Sequence, residues 1–171
     1  GALDSLAVDI KFDCAITATD VTALSQTFDL VVGADGRMNS VVRQALYPQL
    51  VKPRYHGFVN VIGVSRPLAG AFEQAIHEYR DLAERFGIVP VSDSCCYWAG
   101  AWNTEIDRAR PAAAWYHELQ QRFRHWPDPV QKVLQCCDSS SVRHIFVHDI
   151  DPLPYWHQGN VMMIGDAAHA S

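Results

Sequence analysis

The stretch Val161-Met162-Met163-Ile164-Gly165-Asp166-Ala167-Ala168-His169 decides the fold class, because it joins an apolar run of strand length to a glycine, an acid and small residues. Such a pattern is typical of a buried strand leading into a helix whose start approaches a ligand closely. Gly165 and the alanines leave room for that approach, and Asp166 can accept hydrogen bonds from hydroxyl groups. Taken alone, the pattern also fits an ordinary strand-to-helix connection.

A second strand end of the same design lies nearer the start of the chain. Residues 28–34 form an apolar run that ends in Gly33-Ala34-Asp35-Gly36. The residues that follow predict a short helix, with Asn39 or Ser40 as its N-cap and Arg43 on its first turn. Ligands of α/β proteins bind outside the carboxyl ends of parallel strands, so the two strand ends together predict one site.

These two motifs resemble the DG and GD motifs of the single-component FAD-dependent aromatic hydroxylases, which include the p-hydroxybenzoate, salicylate and 3-hydroxybenzoate hydroxylases. Three intervening segments are similar to that family in the same order: Arg85-Phe86-Gly87-Ile88-Val89-Pro90, Tyr97-Trp98 and residues 151–160. The resemblance covers essentially the whole chain. It implies a mixed α/β fold, with part of an FAD-binding sheet and an antiparallel substrate-domain sheet covered by helices.

The same resemblance implies a domain organisation. Residues 1–54 would form part of the FAD-binding domain, residues 55–141 the substrate-binding sheet and helices, and residues 142–171 the return to the FAD-binding domain. The family opens with a strand, a Gly-x-Gly-x-x-Gly turn and a helix, and this glycine pattern is absent from the 171 residues. We therefore expect an internal fragment that begins after the nucleotide-binding unit and ends within the last flavin motif.

The chemistry implied by the resemblance is hydroxylation of a small aromatic molecule with FAD as cofactor, NADH or NADPH as reductant and O2 as oxidant. Asp166 would accept a hydrogen bond from the ribityl chain, although Asp35 has a competing interpretation as a capping residue. No catalytic side chain is assigned, because the cofactor carries the chemistry. The candidate cofactor-binding residues are Asp35, Gly36, Arg43, Gly165, Asp166, Ala167 and His169.

The DG loop is one residue longer than the family pattern. In the family two residues separate Asp-Gly from a serine, whereas Arg37-Met38-Asn39 separates Gly36 from Ser40 here. Either Ser40 and Arg43 keep their family roles across a bulged loop, or Asn39 takes the serine position and the arginine role is lost. We favour the first alternative, because Arg43 would still be the strong donor on that turn.

The predicted antiparallel sheet supplies the candidate substrate wall. Family members often carry Trp-Arg before the glycine that Gly63 matches, and this chain has Val61-Ile62 instead. The substitution removes a carboxylate-binding option, so a neutral or weakly charged aromatic substrate is favoured over a simple benzoate. The candidate substrate-binding residues are His56, Asn60, Tyr97 and Trp98, with Tyr55 and Trp102 as further candidates.

Two other classes of function remain open at this stage. The parent protein could be a related flavoprotein such as a halogenase, an epoxidase or a drug-inactivating monooxygenase, since these share both motifs. Alternatively, the chain could be a non-catalytic folded remnant that does not bind FAD by itself.

Composition favours a globular protein of the cytoplasm. A net charge of -5 argues against a nucleic-acid surface, and no apolar run approaches the roughly 20 residues of a membrane span. The five cysteines show no disulfide or zinc spacing, so buried free thiols and no metal site are expected. His144 and His148 are four residues apart, but they lie on a predicted strand, and packing is the favoured interpretation.

Local patterns predict the remaining elements. Helical propensity favours a helix over residues 72–85, but the resemblance implies strands over 75–79 and 85–89 joined by a glycine-rich turn, and we adopt the strands. In the second predicted helix, Trp115, Leu119 and Phe123 form one core-facing stripe. The predicted strands are 6–12, 15–18, 28–34, 55–64, 95–102 and 142–147, and the predicted helices are 39–46, 111–126 and one in which Asp128 is the N-cap and Pro129 the first residue.

Overall fold

The computed structural model describes Leu6 and residues 8–49, 52–66 and 75–169. The helices and strands in chain order are α1 (Ala18–Thr27), β1 (Val31–Gly33), α2 (Val41–Leu46), β2 (Arg54–Ser65), β3 (His77–Asp81), β4 (Glu84–Ser92), β5 (Cys95–Asn103), α3 (Ala112–Arg122), α4 (Asp128–Gln135), β6 (Cys137–Asp149), β7 (His157–Gln158), β8 (Val161–Met163) and α5 (Asp166–His169). Among the described residues, none of these helices combines the length and apolar character needed to cross a lipid bilayer.

The chain divides into two compact units. The first unit comprises Gly1–Arg54 and Asp149–Ser171, and the second unit comprises Tyr55–His148. The predicted boundary at residue 142 lies inside β6, and that strand stays with the second unit as far as His148. The mixed α/β fold class is as predicted, with helices and two separate sheets.

The first unit is built on a three-stranded sheet in the order β1-β8-β7. Strands β1 and β8 are parallel, with Val31 opposite Val161 and Gly33 opposite Met163. The α2 helix packs so closely on β1 that a Cβ atom at Gly33 would lie 2.4 Å from Val42. Strand β1 is not buried on both faces, because the Val32 side chain is 46% exposed.

The strands predicted near the amino terminus are also wrong. Residues 8–16 form neither helix nor strand, and Ala7 lies outside the described residues. Alternation of apolar and polar residues makes a strand only where a neighbouring strand can pair with it, and Phe12 is 83% exposed. A capping box then starts α1, because the Thr17 hydroxyl accepts from Asp20 N while the Asp20 carboxylate accepts from Thr17 N.

The second unit is a five-stranded sheet in the order β3-β4-β5-β2-β6 with α3 and α4 packed on one face. Antiparallel pairing places Gly63 opposite Trp98 and Val59 opposite Trp102. A Cβ atom at Gly63 would lie 2.4 Å from the Trp98 ring, so the glycine makes room for the indole. The predicted stripe on α3 is confirmed, since Trp115, Leu119 and Phe123 are all buried in this core.

The strands implied for residues 75–89 are confirmed by β3 and β4, and the helix that propensity favours there is not formed. Residues 72–74 of that segment lie outside the described range. Pairing between strands decides the outcome, because β4 is paired on both sides, with β3 and β5. At α4, Pro127 is the N-cap and Asp128 is the first helical residue, so the predicted start is one residue too late.

The turn between β3 and β4 yields a stability prediction. It is formed by Leu82 and Ala83, whose φ angles are 28° and 68°, rather than by the glycines expected from the resemblance. Left-handed backbone costs a residue with a side chain about 1 kcal/mol relative to glycine. Ala83→Gly should therefore raise the free energy of unfolding by about 1 kcal/mol in urea titrations followed by tryptophan fluorescence.

The matched control is Ala113→Gly on the exposed side of α3. There the backbone is helical, so glycine should lower stability by about 1 kcal/mol. Equal destabilisation by both substitutions would contradict the conformational argument for Ala83.

Candidate functional site

The loop after β1 is held by the Asp35 carboxylate. One oxygen accepts from the Ser40 hydroxyl at 2.6 Å, and the other accepts from the backbone N–H of Val41 at 2.6 Å and of Val42 at 3.2 Å. Asp35 thus caps α2, as the competing interpretation held. A carboxylate with three donors is already engaged within the protein, which makes Asp35 an organiser of the loop.

Ser40 is the N-cap of α2, as one of the two alternatives predicted. Its hydroxyl accepts from Arg43 N at 3.0 Å, and the residue is fully buried. Asn39 is exposed and does not take the capping position. The extra residue in the loop is therefore accommodated before Ser40, and the spacing from Ser40 to Arg43 is retained.

Arg43 joins the two motifs. Its side chain is 3% exposed, and Nη1 donates to the Ala167 carbonyl at 2.9 Å while Nη2 donates to the Arg37 carbonyl. Burial lowers the pKa of the guanidinium, and the negative charge of Asp35 opposes that shift. Since arginine remains protonated, the structure contains a buried cation that clamps the loop after β1 against α5.

The glycines of the two motifs meet a conformational requirement. Gly36 has φ 81° and Gly165 has φ 58°, and a Cβ atom at either position would have no atom within 4 Å. Backbone geometry, and not crowding, explains both glycines. The open space at Gly165 also allows a ligand to approach the backbone between β8 and α5.

At the second strand end, the predicted residues divide into packed and exposed ones. Ala167 and Ala168 are buried in the core of the first unit, whereas Asp166 is exposed on the first turn of α5. Within the described part of the chain, no hydrogen bond or ion pair engages the Asp166 carboxylate. His169 is exposed and its ring lies 5.1 Å from that of Trp156 at an interplanar angle of 32°.

Aromatic residues beside these motifs were missed by the sequence analysis. The rings of Tyr47 and Tyr155 stack with centroids 4.7 Å apart. The Tyr47 hydroxyl donates to the Tyr155 carbonyl at 2.6 Å and accepts from Tyr155 N at 3.0 Å. Tyr155 and Trp156 belong to the segment that resembles the family, but their partners are set by tertiary packing and could not be deduced from spacing.

A cofactor carrying hydroxyl groups fits this strand end. The Asp166 carboxylate is a free acceptor among the described residues, and the backbone at Gly165 is accessible. Both lie just beyond the carboxyl end of β8, which runs parallel to β1. This edge is held together by the hydrogen bonds of Arg43, Asp35 and Ser40. The polar groups of these three residues are therefore already occupied within the protein.

The sheet of the second unit sorts the candidate substrate residues by face. Alternation along β2 and β5 places Asn60 and Tyr97 on the face opposite α3 and α4, which we call the open face. Burial raises the pKa of the Tyr97 hydroxyl, which therefore stays protonated at neutral pH. His56 is exposed near the start of β2, with its ring 6.5 Å from that of Phe58.

The prediction that Trp98 contributes to the substrate wall is wrong. Its side chain is fully buried under the helices, stacked on Phe86 at 5.9 Å, so it belongs to the core and not to a ligand surface. Trp102 is 1% exposed on the same covered face, and Tyr55 donates to the Thr104 carbonyl at 2.6 Å. Tyr97 and Trp98 are adjacent in β5 and point to opposite faces, and only Tyr97 is on the open face.

The side chains of His144, His148 and Cys96 contact other groups of the protein. His144 lies 5.5 Å from Trp115, and His148 Nδ1 is 2.7 Å from the Phe146 carbonyl. Cys96 is buried, and burial together with neighbouring thiols raises its pKa to about 11. Cys14 is exposed, contrary to the expectation of a buried thiol, because the segment before α1 is not packed in a core.

In the first unit two parallel strands end at the same edge of the sheet and are joined there by Arg43, and ligands of α/β proteins bind outside such carboxyl ends. The chain belongs to the FAD binding domain family, whose family model matches residues 18–171.

Individual relatives and one solved structure agree with this family assignment. The chain is 36% identical to the aurachin C monooxygenase/isomerase of Stigmatella aurantiaca, over 82% of the chain and 36% of the relative. It is 30% identical to an FAD-dependent urate hydroxylase of Mycolicibacterium vanbaalenii, over 91% of the chain and 39% of the relative. The crystal structure of Klebsiella pneumoniae HpxO with FAD and uric acid superposes with a TM-score of 0.73 at 26% identity, covering 83% of this chain and 37% of that one.

The chain spans between 36% and 39% of the length of the curated relatives it matches.

The clamp formed by Arg43 can be tested through stability. Arg43→Lys keeps the charge but cannot donate to two separate carbonyl groups in the geometry of the guanidinium fork. Loss of a buried hydrogen bond should lower the free energy of unfolding by about 2 kcal/mol, and amide hydrogen exchange should accelerate in α5. Urea titration and exchange mass spectrometry measure the two effects.

Arg108→Lys is the control, because Arg108 is exposed. It should leave both measurements unchanged. If Arg43→Lys proved as stable as this control, the clamp would have no energetic role.

Proposed function

We propose that the chain is part of a monooxygenase that uses FAD, NADH or NADPH and O2 to hydroxylate a small aromatic or heteroaromatic molecule in the cytoplasm. The single observation that carries the proposal is the pairing of the two strand ends through Arg43 and the Ala167 carbonyl in a member of the FAD binding domain family. The activities of the relatives, on aurachin C and on urate, support an aromatic or heteroaromatic substrate. The free state of the cysteines is the usual one in the cytoplasm.

In this proposal the residues of the first unit bind and orient the cofactor. Asp166 accepts a hydrogen bond from a cofactor hydroxyl, and Gly165 lets the backbone come close to it. Asp35, Ser40 and Arg43 fix the position of these groups without contacting the cofactor themselves. FAD, when bound, supplies the redox chemistry by which O2 is activated.

The second unit presents the substrate wall. Its open face carries Asn60 and Tyr97, which offer an amide and a neutral phenol for orienting an aromatic ring. The covered face, with Trp98 and Trp102, is filled by the helices. Positioning of the substrate and exclusion of water are the contributions expected of such a wall.

Titration of the 171-residue chain with FAD tests the assignment of Asp166. We expect weak binding, because the family's glycine-rich pyrophosphate motif is not in these residues. Asp166→Asn should weaken that binding about tenfold, because a charge-assisted hydrogen bond becomes a neutral one. Quenching of flavin fluorescence gives both dissociation constants.

Asp29→Asn serves as the matched control, since Asp29 is an exposed carboxylate of the same unit. It should bind FAD as the unmodified chain does. A purified chain that retains stoichiometric FAD would contradict the expected weak binding, and equal affinities for the two variants would remove Asp166 from the proposed site.

A further inference from the structure

Strand β3 lies at an edge of the second sheet. Among the described residues it pairs with β4 alone, since the strand order is β3-β4-β5-β2-β6. The turn after β3 has two residues, so Asp81 and Glu84 on either side of it form a hydrogen-bonded pair. Alternation along the strand then directs the backbone N–H and C=O groups of Glu78 and Arg80 away from β4. An edge of this kind can pair with a further strand.

The sequence of this edge is complementary to itself in the antiparallel direction. The segment Ile76-His77-Glu78-Tyr79-Arg80-Asp81-Leu82 has Tyr79 at its centre. When two copies run antiparallel with Tyr79 opposite Tyr79, Glu78 of each copy lies opposite Arg80 of the other. In the same alignment His77 lies opposite Asp81, where an imidazole N–H can donate to a carboxylate. Opposed pairs of this kind stabilise antiparallel strands.

Neighbouring alignments of the two strands are unfavourable. A shift by one residue places the helix-covered face of one copy beside the open face of the other. A shift by two residues keeps the faces together but brings Glu78 opposite Glu78, or Arg80 opposite Arg80, and like charges repel. Charged edge strands usually keep copies of a protein apart. The charges of β3 differ, because they favour one alignment and disfavour its neighbours.

The two ends of the segment support the same alignment independently. Ile76 and Leu82 are 74% and 93% exposed, although both are large apolar residues. With Tyr79 at the centre, Ile76 of one copy comes next to Leu82 of the other, so each exposed side chain gains an apolar neighbour. Tyr79 packs partly against the core, and the two tyrosine rings lie side by side on the helix-covered face.

The charges on the open face also favour a second copy. Arg80 of β3 lies directly opposite Arg85 of β4. The two guanidinium groups share the Glu78 carboxylate, with Arg80 Nε at 3.0 Å and Arg85 Nη1 at 3.8 Å. Like charges at opposed positions are unfavourable, and a further carboxylate beside Arg80 reduces their repulsion. Glu78 of the second copy occupies that position.

We propose that the chain associates with a second copy of itself through β3, with Tyr79 opposite Tyr79 on a two-fold axis. The two five-stranded sheets then join into one continuous antiparallel sheet. The backbone groups of Glu78 exchange hydrogen bonds with those of Arg80 in the other copy, and the same patch is used by both copies. Because the two edges are only five residues long, the dimer is weak and reversible. This inference goes beyond the proposed function and does not depend on it.

Sedimentation of the 171-residue chain over a concentration series tests the association. We expect a reversible monomer–dimer equilibrium, and a chain that remains monomeric at about 1 mM would overturn the inference. Arg80→Glu and Glu78→Arg each place like charges opposite each other, so either variant alone should dimerise at least tenfold more weakly. An equimolar mixture of the two variants should regain dimerisation, because every glutamate of one variant then faces an arginine of the other.

The mixture separates pairing between copies from a role of the Glu78–Arg80 ion pair within one chain, since both variants lack that ion pair. Arg108→Glu is the control, because Arg108 is exposed outside β3, and it should dimerise as the unmodified chain does. Single variants that dimerise normally, or a mixture that dimerises no better than its components, would place the interface elsewhere.

Cysteine cross-linking tests the alignment separately. In a Cys14→Ser background, which removes the exposed thiol, Tyr79→Cys should form a disulfide between copies under oxidised glutathione, because the opposed Cα atoms are about 4.5 Å apart. Arg80→Cys is the matched control, since its two copies are offset along the strands by roughly 8 Å, beyond the reach of a disulfide. Equal yields from the two variants, or no cross-link from Tyr79→Cys, would contradict the proposed alignment.

Discussion

The buried guanidinium of Arg43 is the interaction on which the first unit depends. It donates to the carbonyl of Ala167, which lies 124 residues further along the chain, and to that of Arg37 in its own loop. A buried cation is stable only when its donors are used, so these carbonyls must stay in place. The same constraint fixes Ser40 and Asp35, because both hold the start of the short helix that carries Arg43. The two motifs, one near each end of the chain, are thereby held at the same edge of one sheet.

In the second unit the governing constraint is the alternation of the two faces of the sheet. Gly63 and Gly100 leave space for Trp98 and Leu119, so the helices can pack closely on one face. The same geometry buries Trp98 in this core and leaves Tyr97 on the other face. The open face is left with small residues in its middle, among them Gly87 and Ala99.

These two constraints explain how far the sequence could predict the structure. The strand ends, the Ser40 cap and the stripe on α3 follow from local patterns and were predicted. The strands β3 and β4 contradict helical propensity and were obtained only through resemblance, because their stability comes from pairing across the sheet. Trp98 was misassigned because alternation shows that it opposes Tyr97 but not which of the two faces the helices cover. The strand predicted near residue 10 is wrong because an alternating pattern does not specify a neighbouring strand with which the segment can pair.

The distribution of satisfied and unsatisfied polar groups connects the structure with its proposed chemistry. Asp35, Ser40 and Arg43 carry the family motif, and each of them is already hydrogen-bonded to other groups of the protein. Asp166 differs, because no hydrogen bond or ion pair in the described part of the chain engages its carboxylate. Folding stability alone is indifferent to the exposed carboxylate of Asp166. An exposed group that folding does not use is available to a ligand, and the proposed cofactor contact is therefore Asp166 rather than the more heavily bonded residues of the motifs.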